Sequence, residues 1–384
     1  MMSTLLCVAL AFADEPVVPD PAPDEGTPVT VPEAPSAAVR GFGVKKLVEI
    51  KRSPYHEQHA FIIGIDDYVD TTLNLQYAVS DAEGIESALG DRFEFATVNV
   101  LVNEDATRAN VLAALDSYRD LDPEDALFIF WAGHGTQEET TDGESIGYLV
   151  PHDGSFARDR LLIDNISMSQ LKDVIGKRIP AKHKFMVVDA CYGGILATRD
   201  AMRPDVDEAY IAAATSEPAF QILTAGRADQ PVLDGGPGGH SVFTGRFIEA
   251  LDNIGSFNTA SMLHATVAPQ VRQDAFDRGE RVQTPVFANV LGLGDFVWIP
   301  KDVIDEDDRV KAATALRGRM KRVGAGGVCT LPWTPDRHEV VSARLGASED
   351  ALLKALDVRD QAAADAEASW MRGLGTVLDE ASCP

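Results

Sequence analysis

The chain has 384 residues and a formal net charge of −26, from 60 acidic and 34 basic residues. A charge of this sign argues against a nucleic-acid partner, because proteins that bind a phosphate backbone present a basic surface. It suits a basic peptide ligand, or it serves only to keep the protein in solution. Hydrophobic residues make up 45% of the chain, enough for a well-buried core in one large domain or two ordinary ones.

The N-terminal segment has the pattern of an exported protein. Residues 4–13 form a short apolar run that ends in Ala11-Phe12-Ala13, the small-residue pattern of a signal-peptidase site. We therefore expect residues 1–13 to be a signal peptide and the mature protein to be periplasmic or extracellular. Residues 14–56 begin as an acidic, Pro-rich stretch without a period, which indicates a linker or a pro-segment. No other run approaches the roughly 18 apolar residues that span a bilayer, so we expect no integral membrane segment.

From residue 57 onward, apolar runs alternate with stretches of helical spacing. The apolar runs predict strands at 60–65, 97–102, 126–131, 184–188, 220–224 and 284–288, with a hairpin near 148–150. The helical spacing predicts helices at 76–89, 107–119, 167–177, 241–252 and 258–275. This alternation predicts an α/β domain over residues 57–300, with a mostly parallel central sheet and helices on both faces. Residues 301–384 carry no strand run, and they form either a small helical C-terminal extension or a partly disordered tail.

Two of the predicted strands end in reactive residues. One runs into His134 and Gly135, and another runs into Cys191. If these strands are neighbours, about 5 Å apart, the two side chains face each other across a crevice at the carboxyl edge of the sheet. A thiol beside an imidazole is a nucleophile–base pair. The backbone N–H groups of Gly135 and Cys191 are candidates for the oxyanion hole, because glycine lets the backbone approach a substrate carbonyl.

Four segments of this domain resemble the caspase-like cysteine peptidases, particularly metacaspases and their bacterial relatives. They are Phe61–Tyr68, Ser80–Ala82, Gly133–Gly135 and Asp189–Cys191. The separation of the His and Cys motifs is also close to the roughly 50 residues described for caspases. The resemblance covers about residues 57–290. It implies the caspase–haemoglobinase fold and a cysteine-type endopeptidase that acts on protein or peptide substrates.

The residues around the motifs bear on specificity. Asp189 stands where caspases have Gln, as in metacaspases, and Asp81 lies in the segment where metacaspases place a second acid. By resemblance, Asp81 and Asp189 hold an Arg or Lys of the substrate, which a carboxylate in a low-dielectric pocket can select. The alternatives are that Asp81 caps the adjoining helix and that Asp189 orients His134 or a loop. Ala132, where metacaspases often have Ser, departs from the family pattern.

A metal and a disulfide are further possibilities. The resemblance implies no required cofactor, with calcium as a possible activator, and Asp142, Glu144 and Asp153 are the candidate ligands in the acidic region after His134. Their spacing is not that of an EF-hand. Cys329 and Cys383 either form a disulfide or remain as free thiols.

Two functions remain open from the sequence. The first is a cysteine endopeptidase that cuts after Arg or Lys with a Cys191–His134 dyad. The second is a catalytically silent caspase-like domain that binds a protein partner through the same crevice. The four polar residues His134, Cys191, Asp81 and Asp189 favour the first function, because a silent domain has no need of all four.

Overall fold

A computed structural model describes residues 53–141, 145–190, 214–227, 230, 232–279, 282–303, 307–324, 334–358 and 360–380. The predicted signal peptide, most of the acidic linker, Cys191, Cys329 and Cys383 lie outside these residues, so their predicted roles stay predictions.

The centre of the fold is a six-stranded sheet. Its strands are β1 (Gln58–Gly64), β2 (Thr97–Val102), β3 (Ala126–Ala132), β7 (His183–Asp189), β8 (Ala219–Thr224) and β10 (Val286–Gly292). They lie in the order β10-β8-β7-β3-β1-β2. The first five in sequence pair in parallel, and β10 is antiparallel to β8 at one edge. The prediction of a mostly parallel sheet is therefore confirmed.

Alternate residues of the central strands enter two different cores. In β1, Ala60 and Ile62 face one core, whereas Phe61 and Ile63 face the other, and all four are buried. This alternation follows from the pleat of a strand, and it explains why the sequence reads as a continuous apolar run. The two cores place helices on both faces of the sheet, as the sequence predicts.

The helices on the two faces come from different parts of the chain. The first core takes apolar side chains of α1 (Ala78–Arg92), α5 (Val242–Asp252) and α6 (Ala260–Asp277). The second core takes side chains of α2 (Arg108–Ser117) and α4 (Met168–Asp173), which continues as a π-helical turn, Val174–Arg178. A short helix, α3 (Leu161–Asp164), precedes α4.

Short strands complete the domain. An antiparallel sheet has the order β4-β5-β6, formed by β4 (Gly135–Glu139), β5 (Ser145–Leu149) and β6 (Ile166–Ser167). The hairpin of β4 and β5 lies directly after β3. Its second strand contains Tyr148 and Leu149, two residues of the predicted hairpin. A further pair joins β9 (Asn258–Thr259) to β11 (Val297–Trp298).

The C-terminal region forms three helices, α7 (Asp308–Gly324), α8 (Pro335–Asp357) and α9 (Gln361–Glu380). Their apolar faces pack on each other through a core of their own, which includes Leu316, Leu345, Leu352, Met371 and Leu378. The helical spacing of this region predicts amphipathic helices, and such helices bury their apolar faces against one another. The described part of residues 301–384 contains no strand.

Candidate active site

The predicted neighbours β3 and β7 do lie side by side. They pair in parallel with Ala132 opposite Asp189, and the Gly133 N–H donates to the carbonyl oxygen of Asp189 at 3.2 Å. His134 lies two residues after the last residue of β3, and Cys191 lies two residues after the last residue of β7. Cys191 lies outside the described residues, but Ala190 before it is buried at the same edge. The adjacency of the two strands, on which the dyad depends, is therefore confirmed.

His134 is held by two groups that fix its orientation. Its Nε2 lies 2.7 Å from the carbonyl oxygen of Leu73, which belongs to a 3-10 turn, Thr71–Leu73. A carbonyl can only accept, so Nε2 carries the proton, and the neutral ring then presents the lone pair of Nδ1. Burial lowers the pKa of His134, against the opposing effect of the Leu73 carbonyl. A lowered pKa keeps the imidazole neutral near pH 7, as a general base requires.

Tyr68 fixes the backbone of the same residue. Its Oη accepts a hydrogen bond from the N–H of His134 at 2.8 Å, and the two rings lie 5.1 Å apart between centroids. Phe156 packs on another edge of the imidazole, with a centroid distance of 5.4 Å. Gly133 has φ = 155°, and a Cβ at this position would come within 2.9 Å of the Tyr68 oxygen. The glycine therefore makes room for the group that positions His134.

Gly135 begins strand β4 beside the histidine. The carbonyl oxygen of His134 accepts from the N–H of Val150 at 3.0 Å, which makes Gly135 and Leu149 a non-hydrogen-bonded pair. In such a pair the N–H of Gly135 points away from β5 and remains available to another acceptor. This geometry is compatible with the predicted role of Gly135 in an oxyanion hole.

The structure brings Asp81 and Asp189 together at one place. Asp81 lies in the first turn of α1, and Asp189 is the last residue of β7. The Oδ1 atom of Asp81 accepts from the N–H of Ser241 at 3.0 Å, and it lies 3.1 Å from Nδ1 of His240. The Oδ2 atom of Asp189 accepts from the hydroxyls of Ser241 and Thr244, both at 2.5 Å. Both aspartates are buried, and Ser241 contacts both.

One oxygen of this pair has no hydrogen-bond partner among the described residues. The Oδ1 atom of Asp189 is buried and makes no hydrogen bond to any described residue. Among the described residues, no Lys or Arg side chain pairs with Asp189 or Asp81. A buried carboxylate without a cation is costly, and such a group commonly marks the place of a ligand.

Burial and neighbouring negative charges raise the pKa values of the pair. Burial is the largest cause of the raised pKa of Asp81, and the charge of Asp189 is the next. Burial also raises the pKa of Asp189, against the hydroxyls of Ser241 and Thr244. The carboxylates of Asp66 and Asp234 add to the negative field at Asp81. The pocket therefore disfavours two negative charges, which an incoming cation would stabilise.

The capping of α1 and the orientation of His134 are both achieved without these two acids. The N-terminus of α1 is capped by Asp66, whose carboxylate accepts from the N–H groups of Ala78 and Val79. The Asp189 carboxylate binds hydroxyls near the start of α5, whereas His134 takes its bonds from Leu73 and Tyr68. Asp81 is therefore not the cap of α1 and Asp189 does not orient His134, but the bonds of Asp189 to Ser241 and Thr244 are compatible with the alternative that it orients the loop before α5.

The candidate calcium ligands are only partly described. Asp142 and Glu144 lie outside the described residues. Asp153 is exposed, and its Oδ1 accepts from the N–H of Arg108 at 2.7 Å, at the first residue of α2. One ligand of the three therefore has a structural use, and a calcium site stays a prediction.

Several site residues were missed by sequence reasoning. Tyr68 ends one of the four family-like segments, but nothing in that segment indicates that it binds the backbone of His134. The carbonyl of Leu73 carries no side-chain signal at all. His240, Ser241 and Thr244 follow the glycine-rich stretch 235–239, which reads only as a flexible loop. A Ser-x-x-Thr pattern at a helix start could have indicated the cap, because the Ser241 hydroxyl also accepts from the N–H of Thr244.

Comparison with known proteins identifies the family of this chain. The sequence profile of the caspase domain of peptidase family C14 matches residues 57–291, more than half of the chain. The chain belongs to the caspase-domain peptidases. This family includes cysteine peptidases.

The relatives found are metacaspases. Metacaspase-1 of Schizosaccharomyces pombe is 28% identical over 152 residues, which is 36% of this chain and 34% of that protein. Metacaspase-6 of Arabidopsis thaliana is 30% identical over 148 residues, which is 35% of this chain and 38% of that protein. The alignments thus span about a third of the length of these curated relatives.

Among solved structures, caspase-1 from Spodoptera frugiperda aligns with a TM-score of 0.44 and 18% identity, over 65% of this chain and 97% of that one.

None of the helices in the described ranges combines the length and apolarity that a bilayer span requires.

Proposed function

We propose that this caspase-domain protein is an endopeptidase that cleaves after Arg or Lys, with Cys191 as nucleophile and His134 as base. The observation that carries the specificity is the buried, unpartnered Oδ1 of Asp189 beside the buried carboxylate of Asp81. An Arg side chain in this pocket would supply the cation that both aspartates lack and a hydrogen-bond donor for Oδ1 of Asp189. Lys would supply the charge but fewer donors, so we expect Arg to be preferred.

The proposed mechanism follows from the orientation of His134. Nδ1 of His134 takes the proton of the Cys191 thiol, and the thiolate attacks the carbonyl carbon of the scissile bond. The negative charge that develops on the carbonyl oxygen is stabilised by backbone N–H groups, with Gly135 as the candidate donor. The imidazolium then gives its proton to the leaving amine. Water hydrolyses the thioester in the second half of the reaction and regenerates the thiol.

The carbonyl of Leu73 contributes to both halves of this cycle. It accepts from Nε2 whether the ring is neutral or charged, and the bond strengthens when His134 becomes an imidazolium. It therefore stabilises the charged form that the reaction creates, while burial keeps the resting ring neutral.

A panel of fluorogenic peptides tests the proposal. Peptides that differ only in Arg, Lys, citrulline or Asp before the scissile bond are hydrolysed by the full chain and by Cys191→Ala. We expect the rates to fall in the order Arg, Lys, citrulline, Asp, and the variant to be inactive. Activity in Cys191→Ala would refute the dyad, and a preference for Asp would refute the pocket.

The silent partner-binding domain finds no supporting observation, and one reagent tests it directly. A peptidyl-Arg chloromethylketone should alkylate Cys191 in the wild-type protein and spare the His134→Ala variant. An unlabelled wild-type protein would favour the silent domain.

Two expectations from the sequence join this proposal without support from the described residues. Export after removal of residues 1–13 is tested by the N-terminal sequence of the protein recovered from its producing cells. Activation by calcium is tested by the same peptide panel, run with calcium and with a chelator.

A further inference from the structure

A second group of polar residues lies at the opposite edge of the central sheet from His134. His56 comes just before β1, and Asp122 and Asp125 come just before β3. One ligand atom from each of these three residues lies within 4.8 Å of the others. Zinc binds His nitrogen and carboxylate oxygen at about 2.0–2.2 Å, so atoms this close need only small movements to share one ion.

One ring nitrogen of a fourth side chain at this edge has no hydrogen-bond partner among the described residues. Nδ1 of His59 lies 2.9 Å from the hydroxyl of Thr97, and its other nitrogen, Nε2, is buried without a hydrogen bond. Nε2 points toward the cluster, 3.7 Å from Oδ2 of Asp125, which is too far for a hydrogen bond. The Thr97 hydroxyl can accept or donate, and in the tautomer in which Nδ1 donates to it, Nε2 presents a lone pair. This is the usual arrangement of a metal-bound histidine, whose second nitrogen donates to an oxygen.

The cluster has cationic neighbours from the C-terminal helices. Nζ of Lys321 lies 3.2 Å from Oδ2 of Asp125, and the guanidinium of Arg317 lies 2.6 Å from Nε2 of His56. Arg317 also pairs with Glu349. A cavity of about 470 Å³ adjoins these contacts between the peptidase domain and α7 and α8. Lys321 and Arg317 of α7 thus supply the positive charge at the cluster. A metal ion that bound to the cluster would displace both of these side chains.

We propose that His56, Asp122 and Asp125, with His59 as the fourth ligand, bind a divalent transition-metal ion such as Zn²⁺ in competition with Lys321 and Arg317. The mixed nitrogen and carboxylate donors suit zinc rather than calcium, which prefers oxygen ligands throughout. Binding of the ion would free α7 from this edge of the sheet. Metal concentration would thereby set how firmly the C-terminal helices are held to the peptidase domain.

Titration with Co²⁺ tests the site, because a four-coordinate cobalt ion has intense visible absorption and zinc displaces it. The full chain is used in a Cys191→Ala background, so that the active-site pair cannot bind the ion. We expect one equivalent of Co²⁺ with His and carboxylate ligands and no thiolate charge-transfer band. His56→Ala, or Asp122→Asn with Asp125→Asn, should weaken binding at least 100-fold. The surface variant Asp116→Asn should bind normally.

A separate variant tests the proposed competition between the metal ion and the side chains of Lys321 and Arg317. Lys321→Ala with Arg317→Ala should bind Co²⁺ at least 10-fold more tightly than the parent, since no internal cation must leave. Asp122 and Asp125 form a turn in which the N–H of Asp122 donates to Oδ2 of Asp125 and the N–H of Asp125 donates to the carbonyl oxygen of Asp122. His59→Gln leaves this turn unchanged, so it tests the fourth ligand even if the double aspartate variant fails to fold. Unchanged affinity in His56→Ala would refute the site, and unchanged affinity in the Lys321 and Arg317 variant would refute the competition.

Discussion

Asp81 and Asp189 reach the same pocket from elements that are far apart in sequence, and both are hydrogen-bonded to Ser241. The backbone N–H of Ser241 binds one carboxylate, and its hydroxyl binds the other. One residue at the start of α5 therefore sets the spacing of the two acids. Loss of the Ser241 hydroxyl would remove a bond to Asp189 and leave the backbone bond to Asp81, and loss of the Thr244 hydroxyl would also affect Asp189 alone.

The carboxylate of Asp81 should reduce stability in return for specificity. Its pKa is raised by burial and by Asp189, so the folded state binds a proton that the unfolded state releases above about pH 4. The free energy of unfolding therefore falls as the pH rises above that value. We expect Asp81→Asn to stabilise the protein by on the order of 1–2 kcal/mol at pH 8, and the gain should shrink toward pH 5.

Thermal unfolding of the wild type and Asp81→Asn between pH 5 and pH 8.5 measures this effect. The same variant should lose about 100-fold or more in kcat/KM for Arg peptides, because it leaves the substrate cation with one acid fewer. Asp173→Asn, on the exposed face of α4, should change neither quantity. A variant that is destabilised equally at pH 5 and pH 8 would contradict the explanation.

Binding of a basic peptide should release a proton from the pocket. The raised pKa values of Asp81 and Asp189 keep a proton on the unliganded pair, and an incoming guanidinium favours the doubly charged pair. The Kd of an Arg peptide for Cys191→Ala should therefore fall as the pH rises from 6 to 8, by up to about tenfold per unit. A citrulline peptide, which is uncharged, should show no such dependence.

Calorimetry in buffers of different ionisation enthalpy counts the released protons directly. Burial lowers the pKa of His134, so its protonation should contribute less to this pH dependence than that of an ordinary histidine. An Arg peptide whose Kd is the same at pH 6 and pH 8 would show that the pair is already fully charged before binding.

The sequence was informative where the chemistry follows from regular structure. The apolar runs of β3 and β7 are long enough to indicate buried strands, and reactive residues after such strands converge at the carboxyl edge. His134 and the strand that leads to Cys191 could therefore be placed together from the sequence. The acids could be assigned to a pocket only through the family resemblance, since their positions have no common period.

The rest of the site depends on irregular backbone. The carbonyl of Leu73 reaches His134 because residues 71–73 form a single 3-10 turn, which no side-chain pattern specifies. Ser241 lies about 160 residues after Asp81, and its contact with that carboxylate depends on the packing of α5 beside α1. Contacts of this kind follow from tertiary packing, which local propensity does not encode.

Gly133 should tolerate no side chain. An alanine there would have an unfavourable φ, and its Cβ would press against the Tyr68 oxygen that holds the backbone of His134. A displacement of about 1 Å at a catalytic group can cost 100-fold in rate, so we expect Gly133→Ala to lower kcat by about that factor. Tyr68→Phe removes only the acceptor and should lower kcat by about tenfold.

Steady-state kinetics with an Arg peptide compares these two variants with Gly90→Ala. Gly90 lies near the end of α1 with open space around its Cα, so alanine should leave the rate unchanged and stabilise the helix by up to about 1 kcal/mol. If Gly133→Ala retained full kcat, the positioning role of Tyr68 would be wrong.

His183 should make the fold sensitive to acid. It is fully buried at the start of β7, where Nδ1 accepts from the hydroxyl of Tyr55 at 2.7 Å and Nε2 donates to the carbonyl of Glu217 at 3.0 Å. Burial lowers its pKa to about 4, from an ordinary value of about 6.5. Below about pH 6.5 the unfolded chain therefore binds a proton that the folded chain does not.

The free energy of unfolding should consequently fall as the pH drops from about 6.5 to 4, by up to about 3 kcal/mol from this residue. His183→Gln removes a buried, hydrogen-bonded ring, so the variant should be less stable at pH 7. Because glutamine does not titrate, the variant should lose less stability than the wild type across that window. Urea unfolding at pH 7, 6, 5 and 4.5 measures the difference, with His152→Gln at the surface of the site as the control. Equal losses in the wild type and His183→Gln would assign the acid sensitivity to other groups. That outcome would mean that the charged ring of His183 is accommodated by Tyr55, whose hydroxyl oxygen also accepts from the N–H of Val297.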